Sequence, residues 1–224
     1  MAFCKTGSMM LAVVAVASAA QFTMRHEHWQ DYCTGILTVD KDGVSFAGPK
    51  KHKWTWKYAD IQELKLSPER IYVLTYADNK LLLGTDRGYN FTGQVPVADV
   101  RALAWSHLDR RFVAAFGEPR EAALWSLPVK HQLRISGTEG TLSVFPDRIV
   151  YATTGKDDSR TWRYSDIESI SSSGPYQLTI TSFERALSHY GDRKGFNFQL
   201  KEPITEARYN ELWMEIERKN GRVQ

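Results

Sequence analysis

Residues 35–46 read GILTVDKDGVSF, and residues 140–151 read GTLSVFPDRIVY. Gly35 aligns with Gly140, Leu37 with Leu142, Val39 with Val144, Val44 with Ile149 and Phe46 with Tyr151. In both stretches apolar residues alternate with polar ones, which puts one apolar face inward across two short strands. Asp40-Lys41-Asp42-Gly43 and Phe145-Pro146-Asp147-Arg148 lie between those strands and carry turn chemistry, so each stretch reads as a hairpin.

The likeness continues downstream. Trp56-Lys57-Tyr58-Ala59-Asp60-Ile61 matches Trp162-Arg163-Tyr164-Ser165-Asp166-Ile167, and Tyr89-Asn90-Phe91 matches Phe196-Asn197-Phe198. Order and spacing hold together over an offset of 105–107 residues, too long for a solenoid repeat and long enough for a unit with its own core. Further strands are expected around Ile71/Val73, Leu81/Leu83 and Tyr89/Phe91, and in the second copy around Leu178/Ile180, Ala186–His189 and Phe196/Phe198/Leu200. Asp60 and Asp166 fit a strand-ending turn, where a carboxylate accepts backbone N–H bonds.

Each copy then changes period. Val97, Val100, Leu103, Ala104, Leu108 and Phe112 follow helical spacing, as do Ala207, Leu212, Trp213 and Ile216, which Lys219-Asn220-Gly221 terminates. Strands followed by one helix, with no βαβ alternation, give an α+β, mainly β chain. The expected organisation is residues 1–20 as a signal peptide, 21–117 as the first unit, 118–126 as a linker and 127–221 as the second. Each unit is expected to be a curled antiparallel sheet of six to seven strands capped by a C-terminal amphipathic helix. Trp56, Trp105, Trp162 and Trp213 are the expected core tryptophans, with the helix pair Trp105 and Trp213 sealing the two barrels.

The export signal rests on Lys5, the apolar run Met9 to Ala17, and the small-residue sites Ala17-Ser18-Ala19 and Ser18-Ala19-Ala20. The run is about half the ~20 residues a span needs. Cleavage would leave Cys33 alone, so an internal disulfide is excluded and stability falls to the core. The whole chain of 224 residues has 29 basic and 26 acidic residues and 12% aromatics. That balance does not point to nucleic acid.

These features together resemble the pleckstrin-homology-like superfold, close to its GRAM-like and bacterial branches, written twice. The carriers are the G-x-L-x-V hairpin start, the second strand (GVSF or RIVY), the W-x-Y-x-D-I segment, the pair Y-N-F or F-N-F, and a closing helix with Trp105 or Trp213. The chain is also similar to exported bacterial proteins of unknown role that begin with H-x-H and C-x-G, here His26-Glu27-His28 and Cys33-Thr34-Gly35. The resemblance implies binding rather than catalysis. Lipid-binding members place basic residues in the first hairpin loop; here those loops are acidic or mixed, which argues against a phosphoinositide site of that type.

Catalytic patterns are missing: there is no G-x-S-x-G, H-E-x-x-H, phosphate loop, dinucleotide fingerprint or C-x-x-C. The expected function is an exported, non-catalytic interaction module for an envelope protein or peptide, without a cofactor. The alternatives are a small-ligand or lipid carrier, or a binder of anionic lipid or polysaccharide in peripheral contact with a surface. The densest basic run, Lys50, Lys51, His52, Lys53 and Lys57, lies beside Trp54 and Trp56 and is the candidate anionic-ligand site. His26 and His28 would point the same way on a strand, and with Cys33 or His52 they could ligate zinc or copper. Because the second copy keeps only His131 there, the expectation is a polar strand start and no metal.

Overall fold

The computed structural model describes residues 19–28, 31–79, 84–118, 122–155, 157–186 and 192–223. The first half runs β1 (Ala19–Glu27), β2 (Tyr32–Asp40), β3 (Gly43–Ala47), β4 (Lys53–Lys57), β5 (Ile61–Ser67), β6 (Arg70–Asp78), β7 (Asp86–Thr92) and helix α1 (Val97–Leu108). A short strand, β8 (Phe112–Ala114), follows. The second half repeats the order as β9 (Trp125–Gln132), β10 (Gly137–Val144), β11 (Arg148–Thr153), β12 (Arg160–Arg163), β13 (Ile167–Ser171), β14 (Gln177–Arg185), β15 (Arg193–Leu200) and α2 (Glu206–Lys219). The chain is thus α+β and mainly β. Most of the signal segment, the Leu81/Leu83 strand and most of the Ala186–His189 segment lie outside the described residues. Ala19 and Ala20, at the expected cleavage site, already belong to β1, and Ala20 is buried.

Local chemistry accounts for the repeated motifs. Gly35 and Gly140 recur because a Cβ there would meet a partner-strand carbonyl, 2.5 Å from the oxygen of Ala47 and 2.4 Å from that of Ala152. In the W-x-Y-x-D-I segment Trp56 and Trp162 enter the cores. Tyr58 donates its hydroxyl to the carbonyl of Asp40 at 2.6 Å, and Tyr164 does the same to Phe145, so the tyrosines tie down the β2–β3 turn and its counterpart between β10 and β11. Asp60 accepts the N–H of Lys57 (3.3 Å) and Asp166 that of Arg163 (3.1 Å), closing a 3-10 turn. That turn starts a new strand at Ile61 or Ile167, where the sequence pattern suggested only a strand end.

Each half has its own apolar cluster. The first gathers Leu37, Phe46, Trp56, Leu64, Val73, Phe91, Val100 and Ala104; the second gathers Leu142, Tyr151, Trp162, Ile170, Ile180, Phe198, Leu212 and Ile216. The strands nevertheless form one ladder of 15, in the order β13-β14-β15-β9-β10-β11-β12-β8-β5-β6-β7-β1-β2-β3-β4. The link is β8, which pairs parallel with β5 (Leu64 to Phe112 through Leu66 to Ala114) and meets β12 at Thr161 opposite Ala114. Glu118 adds a buried bridge, 2.6 Å from Arg101 on α1 and 2.6 Å from Arg148 on β11.

Of the helix tryptophans, Trp105 packs against the first core, and Trp213 does not enter the second. Trp213 is 38% exposed: α2 buries Leu212 and Ile216, and the next residue round the helix turns outward. Trp105 is half-buried at the seam, against Phe112 and between the guanidinium groups of Arg101 (4.1 Å) and Arg163 (4.5 Å).

Replacing either turn-binding tyrosine should test this account of the motif. Tyr58→Phe and Tyr164→Phe keep the ring but leave a carbonyl without its donor, so each should lower stability by about 1–2 kcal/mol in urea unfolding. Unchanged midpoints for both variants would contradict the assigned role.

Candidate functional site

The basic run divides between a turn and a strand. Gly48 N–H donates to the carbonyl of His52 (2.8 Å) and His52 N–H to that of Pro49 (3.1 Å), while Lys50 takes a left-handed φ of 54°. Lys50, Lys51, Lys53 and Lys57 are all exposed. Alternation along β4 turns Lys53, Thr55 and Lys57 outward and Trp54 and Trp56 inward. Lys53 and Lys57 sit at opposite ends of the strand, about 13 Å apart. His52 leaves this cationic surface: its ring stacks on Trp54 (centroids 5.6 Å, 18° between planes).

β4 ends the ladder and, among the described residues, pairs only with β3. Its counterpart β12 has β8 on the same side of the sheet order. Among the described residues, the second half shows no matching basic surface. Arg160, which opens β12, is buried 3.4 Å from Glu184.

Behind the basic turn lies the cluster that the sequence alone reads as a polar strand start. His26 on β1 faces Cys33 across the β1–β2 ladder, and His28 lies two residues further along. The Nδ1 of His26 is 3.4 Å from the Nε2 of His28, and ligand atoms of His26, His28 and Cys33 all lie within 4.8 Å of one another. The ring of His52 is 4.5 Å from that of His28, and its buried Nδ1 has no hydrogen-bond partner. His26 is 7% exposed. Burial first, then the neighbouring His28, His52 and Arg87, holds its pKa down to about 4, so the imidazole is neutral at ordinary pH. Burial, with Asp31 adding to it, pushes the Cys33 thiol up.

The same place in the second half is filled differently. Registers make His131 the counterpart of His26: His26 faces Cys33 and Phe91, and His131 faces Thr138 and Phe198. Asp158 stands four residues before Trp162, as His52 stands four before Trp56. There the polar groups satisfy one another. The Nδ1 of His131 is 2.9 Å from the Asp158 carboxylate, the Thr138 hydroxyl donates to that carboxylate, and the Tyr151 hydroxyl donates to the Thr138 carbonyl at 2.8 Å. Burial opposes the charge on Asp158, but bonds from His131 and Thr138 outweigh it and hold the carboxyl below its usual range.

The first half therefore carries Cys33 for Thr138, His52 for Asp158, and His28 where the second half has the exposed Leu133. The sequence comparison sets His131 against these histidines but does not pair Cys33 with Thr138 or His52 with Asp158.

No family model and no curated protein matches the chain. Among solved structures, one described as "Structure of the Spt16D Pob3N heterodimer" is similar to it with a TM-score of 0.34 and 8% identity, over 74% of this chain and 84% of that one. A likeness that weak carries no argument about function.

The Asp158 network makes a prediction with a defined sign. Its native carboxyl titrates below the unfolded value near 4, so the charge contributes fully above about pH 4 and loses its contribution as the pH falls through the native value. Asp158→Asn should cost about 1–3 kcal/mol near pH 7 and progressively less as the pH falls below about 4, read as the gap between wild-type and variant urea midpoints. A gap that stays constant with pH would contradict it.

Proposed function

We propose that the chain is an exported, non-catalytic binding module of two pleckstrin-homology-like units, and that it takes an extended acidic segment of an envelope protein along the free edge of β4. The observation that carries this reading is β8. At β12, which holds the place of β4 in the second half, the chain lays its own short segment beside the strand. Thr161 faces Ala114 there, and the Thr161 hydroxyl donates to the carbonyl of Phe116 at 2.8 Å. A sheet edge of this kind binds an added strand through main-chain hydrogen bonds, and side chains at alternate positions give selectivity. β4 presents the same kind of edge with Lys53 and Lys57 turned outward and Lys50 and Lys51 on the preceding turn. Such lysines discourage pairing with a like strand and favour an acidic one.

The carrier reading has less support. Large side chains fill both interiors, and the larger concavities among the described residues are open clefts. One of about 440 Å³, for example, lies between Glu69, Phe116, Gly117 and Asp157. Export rests on the character of residues 1–20 alone.

A short unstructured peptide that alternates Asp or Glu with Val or Thr is a suitable probe. It should bind with an affinity that falls as salt rises, and it should slow amide exchange along β4 but not along β13. Lys53→Glu with Lys57→Glu should weaken binding about tenfold or more. Equal binding by that variant, or no protection at β4, would overturn the reading.

A further inference from the structure

The geometry points to a metal site: His26, His28 and Cys33, with His52 completing the shell, bind one closed-shell cation that favours thiolate and imidazole, Zn(II) or Cu(I). This inference is independent of the β4 edge, and its failure would leave that reading untouched.

Three observations converge. The first is the donor set. One sulfur and two imidazole nitrogens lie within 4.8 Å of one another, and the group contains no carboxylate. Such donors select zinc and monovalent copper over hard cations, which prefer oxygen. Tetrahedral ligation at bond lengths of ~2.0–2.3 Å puts ligand atoms about 3.3–3.8 Å apart. The His26–His28 pair already has that spacing at 3.4 Å. Cys33 has its sulfur within 4.8 Å of both histidine ligand atoms, and the ring of His52 is 4.5 Å from that of His28, so side-chain rotation of Cys33 and His52 is what ligation requires.

The second observation is unmet hydrogen bonding. Nδ1 of His52 is buried without a partner, next to the ring of His28. Two imidazole nitrogens facing each other at 3.4 Å can share one proton, yet nothing among the described residues plays the part of a carboxylate for them. A buried polar group without a partner costs stability unless something satisfies it. A cation satisfies several lone pairs at once.

The third is the comparison within the chain. At the same backbone positions the second half closes its site with His131, Thr138 and Asp158, a complete hydrogen-bonded set. The first half replaces the hydroxyl with a thiol and the carboxylate with an imidazole, then adds His28. Each of the three changes removes a group that satisfied its neighbour, or an apolar one, and installs a transition-metal ligand. A structural role alone would be served by the set the second half already has.

Binding would release the thiol proton of Cys33 to solvent and move the proton shared by Nδ1 of His26 and Nε2 of His28 to the other nitrogen of its ring, with no redox step. It would also join β1 and β2 to the turn before β4 through His52.

The test uses the full chain, stripped of metal and kept reduced under anaerobic conditions. Zn(II) is titrated against a colorimetric chelator in one arm and Cu(I) against a copper(I)-specific chelator in the other. The expected result is one equivalent bound per chain in at least one arm, and a thiolate-to-cobalt charge-transfer band when Co(II) is used as a spectroscopic substitute. Cys33→Ser should abolish that band and weaken binding about tenfold or more; His28→Ala should weaken binding about as much, and His107→Ala, outside the cluster, should change neither band nor binding. If the variants fail to fold, alkylation of wild-type Cys33 decides the matter, because a bound ion should protect the thiol. Failure to bind either ion stoichiometrically, binding retained in the Cys33→Ser/His28→Ala double variant, or a thiol alkylated equally fast with and without the ion would overturn the proposal.

Discussion

The architecture depends on three residues between the halves. Phe112, Val113 and Ala114 are all buried; they run parallel to β5 on one side and meet β12 on the other. Without them the edges of β5 and β12 would each expose unpaired backbone groups, which a folded chain covers or defends with charge. The amide of Ala115 extends the join by donating to the carbonyl of Leu66 at 2.7 Å. Side chains then lock the seam. Arg110 donates to the carbonyl of Ser165 (2.9 Å), Arg163 to that of Trp105 (3.0 Å), and the buried Glu118 holds an arginine from each half. Removing one partner from a buried ionic group of this kind costs about 3–5 kcal/mol, so these contacts fix the register between the halves.

Covering two of four such edges makes the halves unequal. The strands left at the ends of the ladder are β4 and β13, and α2 packs beside β13. The basic turn and its lysines stand at the other end, on the half whose edge is free. The histidine and cysteine cluster lies directly behind that turn. Both special features of the chain therefore fall on the first half, at positions where the second half is closed by β8 and by Asp158.

Much of the fold could be read in the sequence because its signals are local. The G-x-L-x-V hairpins, the W-x-Y-x-D-I turns and the two amphipathic helices each follow from period, turn chemistry or capping within a dozen residues. Thr205 at the start of α2, whose hydroxyl accepts the N–H of Arg208 at 3.3 Å, is one such signal. What the sequence hid is long-range. Phe112 continues the helical spacing of α1, and only pairing with the distant β5 makes it a strand. Trp213 differs from the buried Leu212 by a single step round the helix, an angle that apolar periodicity does not resolve when a tryptophan's bulk argues for burial. His52 reaches His26 through three hairpin connections, so their spacing in the chain says nothing of their contact. The basic run, read as one patch, contained a histidine that turns away from the lysines.

Hydrogen exchange along residues 112–115 tests the joined ladder most directly. If β8 is the seam, the amides of Val113, Ala114 and Ala115 should exchange as slowly as those in the middle of β5, and both halves should unfold in one cooperative transition. Exchange at the rate of an open linker, with the halves melting separately, would contradict it.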